Sequence, residues 1–122
     1  MTPHEIAAFL AAQTRVIVAA LDQGAPIGTI AGARFVDNLL EVTLRDGDRV
    51  RELLDSDARV CVIAEQFPTY YEIKGVVIHG TARFSSAEDQ TFRLPLDDIT
   101  SFDFGKLPRA GAGSGKISGN RQ

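Results

Sequence analysis

Thr43, Arg45, Arg49 and Arg51 crowd into one run, Thr43-Leu44-Arg45-Asp46-Gly47-Asp48-Arg49-Val50-Arg51. A hydroxyl and several guanidinium forks this close together are groups that receive an oxyanion. The same stretch carries Asp46, Asp48 and Glu52. A solvated helix face with paired charges therefore accounts for it as well. Near the C-terminus, Gly111-Ala112-Gly113-Ser114-Gly115-Lys116-Ile117 has the look of a phosphate loop. It fails as one: the glycines stand one residue too close, Ile117 replaces the magnesium-holding Ser or Thr, and no chain remains for the following helix.

The other reactive side chains point to ordinary roles. His4 and His79 have no second ligand at metal spacing, so no metal site is expected. Cys61, between Val60 and Val62, reads as a small buried hydrophobe. Tyr70 and Tyr71 read as core or interface residues. No Ser-His-Asp or Cys-His arrangement is present, so hydrolysis is not indicated and no catalytic side chain is named.

Composition narrows the class. With 122 residues there is room for one domain and one core. A net charge of -3 disfavours a phosphate-backbone binder, and the absence of tryptophan disfavours a single-strand-binding barrel. No nucleic acid and no membrane are expected as partners. One cysteine points to a reducing compartment, and the N-terminus lacks a basic signal region, so the cytoplasm is the expected location.

The elements that must position these residues follow from periodicity. Thr2-Pro3-His4-Glu5 is a capping-box helix start, and Ile6, Phe9 and Leu10 continue it to about Gln13. Residues 15–21 and 26–35 read as a hairpin about the turn 22–25, and Val36-Asp37-Asn38 turns into a third strand, 39–45. Val50, Leu53 and Leu54 form the apolar stripe of a short helix. Residues 59–64 follow as a buried strand, then a long strand from Tyr70 to Phe84, then a last strand, 99–104. Gly75 and Gly80 inside the long strand predict bulges or sharp curvature. The expected fold is a mainly β, six-stranded antiparallel split β-barrel of Greek-key type. It carries an N-terminal helix and a short helix between strands 3 and 4. The domain is expected over 1–105, with a flexible Gly-rich tail at 106–122.

Three stretches in this order carry a resemblance: RVIVAALDQGAPIGTIAGARF, LLEVTLRDGDRVRELLDSDARVCVIAE and IKGVVIHGTARF. Over about residues 5–84 the chain resembles the pyridoxamine 5'-phosphate oxidase-like family of flavin-binding split barrels. The resemblance implies a homodimer with cofactor sites at the interface. It also implies FMN as cofactor, or deazaflavin or haem as in related branches, and oxidoreductase chemistry on a small-molecule substrate or electron donor. Carried over residue by residue, it gives Arg49 and Arg51 the cofactor phosphate, with Thr43 and Arg45 in support. Arg34 is included on the second strand, the backbone of Thr29, Ile30 and Ala31 runs along the ring or ribityl chain, and Lys74 faces the cofactor from the partner. The sequence departs from the family pattern at Arg49, where lysine is usual, and in a helical segment one residue longer. The substrate residues of true pyridoxamine phosphate oxidases have no counterpart, so that activity is not carried over. The alternative is a non-catalytic dimer of the same fold that has lost flavin.

Overall fold

The computed structural model describes the backbone of residues 1–69 and 72–103, and side chains over 1–65 and 75–101. Tyr70, Tyr71 and the 106–122 tail lie outside the described residues, as does the side chain of Lys74.

Helix α1 (Pro3–Ala11) begins as its sequence predicts. The Thr2 hydroxyl accepts from the Glu5 amide at 3.1 Å while the Glu5 carboxylate accepts from the Thr2 amide at 2.7 Å. It ends at Ala11, two residues before the expected Gln13, whose amide closes the last turn onto Leu10. Strands β1 (Arg15–Asp22), β2 (Ala25–Val36) and β3 (Leu39–Thr43) form a meander through two tight turns. Each turn has two central residues at positive φ: Gln23 at 52° and Gly24 at 87°, then Asp37 at 53° and Asn38 at 64°. That backbone matches the twist of the flanking strands, and Gly, Asn and Asp tolerate it best.

Helix α2 (Arg49–Ser56) follows, capped by Asp48, whose Oδ1 accepts from the Val50 amide at 2.8 Å. Then come β4 (Arg59–Thr69), β5 (Glu72–Thr81), β6 (Thr91–Pro95) and β7 (Ile99–Asp103). All pairings are antiparallel, in the order β6-β3-β2-β1-β4-β5-β7, and the sheet curls into a half-barrel. Among the described residues the strands thus number seven rather than the expected six. The addition is β6, whose Phe92 and Leu94 turn inward while Thr91, Arg93 and Pro95 face out. Pro95 masks this alternation in sequence, and a sheet edge is where a strand tolerates proline.

Strand β4 also runs past Ala64 to Thr69, and β5 is shorter than the expected 70–84. Neither Gly75 nor Gly80 interrupts the ladder; its one shift falls between Gln66 and Thr69. Gly80 serves close packing instead: a Cβ there would lie 2.7 Å from Leu94 Cδ2, so any side chain at 80 would require the buried Leu94 to shift.

The core fills the concave face. Val16, Val18, Leu40, Val42, Val62, Val76, Ile78, Phe92 and Leu94 come from the sheet, and Leu10, Val50 and Leu54 from the helices. The opposite face of β1 and β2 is less covered, with Ile17 at 38% exposure and Ile30 at 56%.

The β5–β6 connection is held by Asp89. Its carboxylate accepts from the Ser85 amide (3.0 Å), the Ser85 hydroxyl (2.8 Å) and the Thr91 amide (3.1 Å). These bonds, the Ser85 amide foremost, hold its pKa down at about 2, against an ordinary 3.8. A depressed carboxylate stabilises the fold above its unfolded pKa and loses that contribution as pH falls through the folded value. Urea midpoints measured between pH 5 and pH 2 should therefore fall most steeply below about 4. In Asp89→Asn that slope should be visibly flatter; an unchanged slope would remove Asp89 from this role.

Candidate functional site

Where β3 ends, β2 continues alone. Gly32–Thr43 is the last β2–β3 pair, and residues 25–31 of β2 extend beyond it, paired only to β1. The amide of Ala33 donates to Thr14 on the β1 side. By the two-residue alternation of an antiparallel ladder, Gly28 and Ile30 therefore direct their amides and carbonyls to the edge that β3 has left. The side chains of 28, 30 and 32 share the outward face. Two of these are glycine, so Ile30 stands on a shelf of bare backbone.

Cross-strand register extends the shelf. Arg15, Gly32, Thr43 and Thr91 lie in one row across β1, β2, β3 and β6. The neighbouring row is Ile63, Ile17 and Ile30. A shallow depression of about 240 Å³ is lined by Arg15, Ile17, Ile30, Ile63 and Glu65. Two residues beyond Thr43 comes Arg45, whose carbonyl accepts from the Asp48 amide at 3.2 Å and whose exposed side chain has no hydrogen bond or ion pair among the described residues. The Thr43 and Thr91 hydroxyls lie 3.0 Å apart and both belong to the outward row.

Helix α2 starts beside this edge, since the Thr29 hydroxyl donates to Asp48 Oδ2 at 2.9 Å. Arg49 is exposed and holds two long contacts, 3.3 Å each, to Asp22 and Glu52. Both its partners are surface carboxylates, so these pairs are weak and exchangeable. The helix start itself is already served, because the Asp48 carboxylate takes the Val50 amide.

The sequence-predicted residues divide accordingly. Thr29 is tied to the start of α2 through Asp48, Ile30 and Thr43 stand in adjoining outward rows, Arg45 follows Thr43 by two residues, and Arg49 reaches instead toward Asp22 at the β1–β2 turn. Ala31 contributes backbone, its side chain buried in the core. Arg34 lies further along β2, paired with Glu41 at 2.9 Å. Glu41 also receives Arg93 at 2.9 Å, and its pKa is lowered first of all by the Arg34 hydrogen bond.

Arg51 turns the other way, and the phosphate role expected of it is corrected here. It is 5% exposed and sits over the Phe84 ring at 3.6 Å. Its Nε donates to the carbonyl of Asp89 (2.9 Å), one terminal nitrogen to Asp55 (2.7 Å), and the other to the carbonyls of Ser86 and Ala87 (3.3 Å each). With every nitrogen engaged, this guanidinium fastens the 84–90 connection to α2. The signal was its i, i+4 spacing to Asp55 and its place beside Val50 on the inward side of the helix.

Cys61 is half-buried and its thiol pKa is raised by that burial. Among the described residues no group of His, Cys, Asp and Glu stands where it could hold a metal.

No known family's sequence profile matches the chain, and no curated protein matches it. Solved structures do. The conserved hypothetical protein Rv2991 of Mycobacterium tuberculosis superposes with a TM-score of 0.73 at 18% identity, over 93% of this chain and 93% of that one. A FAD-binding protein of Mesorhizobium loti gives 0.71 at 15%, over 84% of this chain and 95% of that one. A Corynebacterium glutamicum protein provisionally named a pyridoxamine 5'-phosphate oxidase gives 0.68 at 13%, over 86% and 91%. This is the fold of the pyridoxamine 5'-phosphate oxidase-like proteins. The split barrel accounts for the curled sheet, the helix inserted between β3 and β4, and the shelf on its outward face. None of the described helices is long and apolar enough to cross a membrane.

Proposed function

We propose that this chain binds a flavin, FMN, on the outward shelf of β2, and serves as a flavin-dependent oxidoreductase acting on a small molecule. The observation that carries the reading is the shelf itself. Bare backbone at Gly28 and Gly32 and the strand edge that β3 leaves at Ile30 lie where β3 departs, and Arg45, whose side chain has no partner among the described residues, follows two residues after β3. A planar ring needs a flat, partly apolar surface with backbone donors at its edge; a phosphate needs guanidinium forks and hydroxyls. The residues fit that group. Arg45, Thr43 and Arg49 would hold the phosphate, and the backbone of Thr29 to Ala31 would flank the ring. When bound, the flavin supplies hydride or electron transfer, while the protein supplies orientation and exclusion of water. Similarity to a FAD-binding protein and to a FAD- and haem-binding protein of Mycobacterium smegmatis supports the cofactor class.

The test is the visible absorption spectrum of the purified protein, repeated on the supernatant after denaturation. Flavin bands with release on unfolding are expected. The double variant Arg45→Gln/Arg49→Gln should fold and bind FMN at least about tenfold more weakly, as lost charge-assisted bonds imply. Undiminished occupancy in that variant would sink the assignment. A colourless protein that takes up neither FMN, deazaflavin nor haem on titration supports the second reading, a non-catalytic dimer. The observation favouring that reading is the acid around α2: Asp48 caps its N-terminus, and Asp22 and Glu52 hold Arg49.

Both readings place a second copy of the chain on the outward face, where Ile17, Ile30 and Ile63 stand side by side in register. A contiguous apolar row on an exposed sheet face is a surface for protein contact. Ile17→Lys should convert a dimer to a monomer in light scattering coupled to size exclusion, with the far-ultraviolet dichroism preserved. A dimer undisturbed by that change places the interface elsewhere.

A further inference from the structure

A groove of about 410 Å³ lies at the seam between β5 and β6. Strand β7 accompanies β5 only as far as the Ile78–Ile99 pair. Beyond it β5 runs on through His79 to Thr81, and its outer edge faces β6 across the seam. Ala82 donates its amide to Ala58 on the β4 side, so the Thr81 amide turns toward the seam, as the His79 amide does in reaching Asp98. At Gly80 the space a Cβ would take is filled by the buried Leu94 side chain from β6, so the two walls stand close.

Two guanidinium groups line this groove. Arg93 is held through its Nε by Glu41, which leaves both terminal nitrogens for the groove. Arg83 has no hydrogen bond or ion pair among the described residues. The exposed His79 adds an imidazole, with the Asp98 carboxylate 3.9 Å away, and Asp97 lies on the opposite wall. A pre-positioned guanidinium fork, a second unpaired one and a peptide amide on a rigid edge are the donor set of an oxyanion site. Asp97 offers an acceptor for a hydroxyl or ammonium group on the same ligand.

We propose that this seam binds the oxyanion group, phosphate or carboxylate, of a small polar molecule. The site shares no residue with the flavin shelf and stands whether or not flavin binds. The test is an amide and arginine Nε nuclear magnetic resonance titration of the full chain with inorganic phosphate and, separately, acetate, ionic strength being held with chloride. Saturable shifts are expected at Gly80, Thr81, Arg83 and Arg93. Arg83→Gln, an exposed change, should weaken the affinity at least about tenfold, and Arg93→Lys, which loses the fork, by a similar factor. A clear preference for phosphate identifies a phosphomonoester as the ligand class, and equal or stronger response to acetate identifies a carboxylate. Non-saturating shifts, shifts confined to 43–49, or an unchanged midpoint in Arg83→Gln would overturn the proposal.

Discussion

Arg51→Met will lower stability by about 2–4 kcal/mol, although methionine fills most of the volume and suits a helix. The guanidinium satisfies the carbonyls of Ser86, Ala87 and Asp89 while its face covers Phe84. Methionine returns none of those bonds, and the carbonyls lose their partners in a partly buried place. The Asp55 pair is the smaller part, since that carboxylate is largely exposed. Urea unfolding should show the loss as a lower midpoint with unchanged slope. Arg51→Lys should recover little, because one ammonium cannot reach carbonyls on both sides of the connection. A loss under about 0.5 kcal/mol, the size of an ordinary surface change, would mean that the connection holds without this residue. The result also bears on function: an arginine variant at 51 that lost flavin would report a loosened fold, which is why Arg45 and Arg49 are the diagnostic pair.

The second large effect is expected at Phe92. Truncation to alanine should cost about 3–5 kcal/mol, the range for a buried aromatic ring. Phe92 is fully buried on an edge strand and meets Phe84 edge to face at 5.7 Å between ring centres. Phe84 in turn lies beneath Arg51, so the two predictions probe one stack. Their effects should be less than additive in the double variant, because each removes support from the same Phe84. Strict additivity, measured by the same urea midpoints, would separate the two sites.

The periodicity of the chain carried most of the fold. The Thr2–Glu5 box, the two turns at 23–24 and 37–38, and the Val50-Leu53-Leu54 stripe each state a local preference that the tertiary structure keeps. Strand β6 was hidden because Thr91–Pro95 is short and ends in proline, and only its place at the sheet edge makes proline harmless. The glycines misled for a related reason. A glycine in a strand announces either a bulge or a close approach, and only the partner across the seam, Leu94, decides between them. At the site, the cluster 43–51 was visible as a cluster, but alternation could not tell Arg49 from Arg51. Their difference lies in what packs against α2, namely the 84–90 connection, which is distant in sequence. Nor could sequence show that β2 outruns β3, the mismatch in length that creates the shelf.

That strand order also sets how the chain can assemble. The β1–β2 and β2–β3 ladders close through two-residue turns and need almost no search. By contrast, the Glu41–Arg93 and Thr43–Thr91 pairs join strands separated in sequence by α2 and the whole β4–β5 hairpin. Closing loops of that length is entropically costly, and folds dominated by such pairings form slowly. The 15–43 meander is thus the natural nucleus. Docking of β6 is expected late by the same argument, and it completes at once the outward row at Thr91 and the seam at Arg93. Until that strand docks, the folding chain has the β2 shelf but lacks both the Thr91 end of the outward row and the seam.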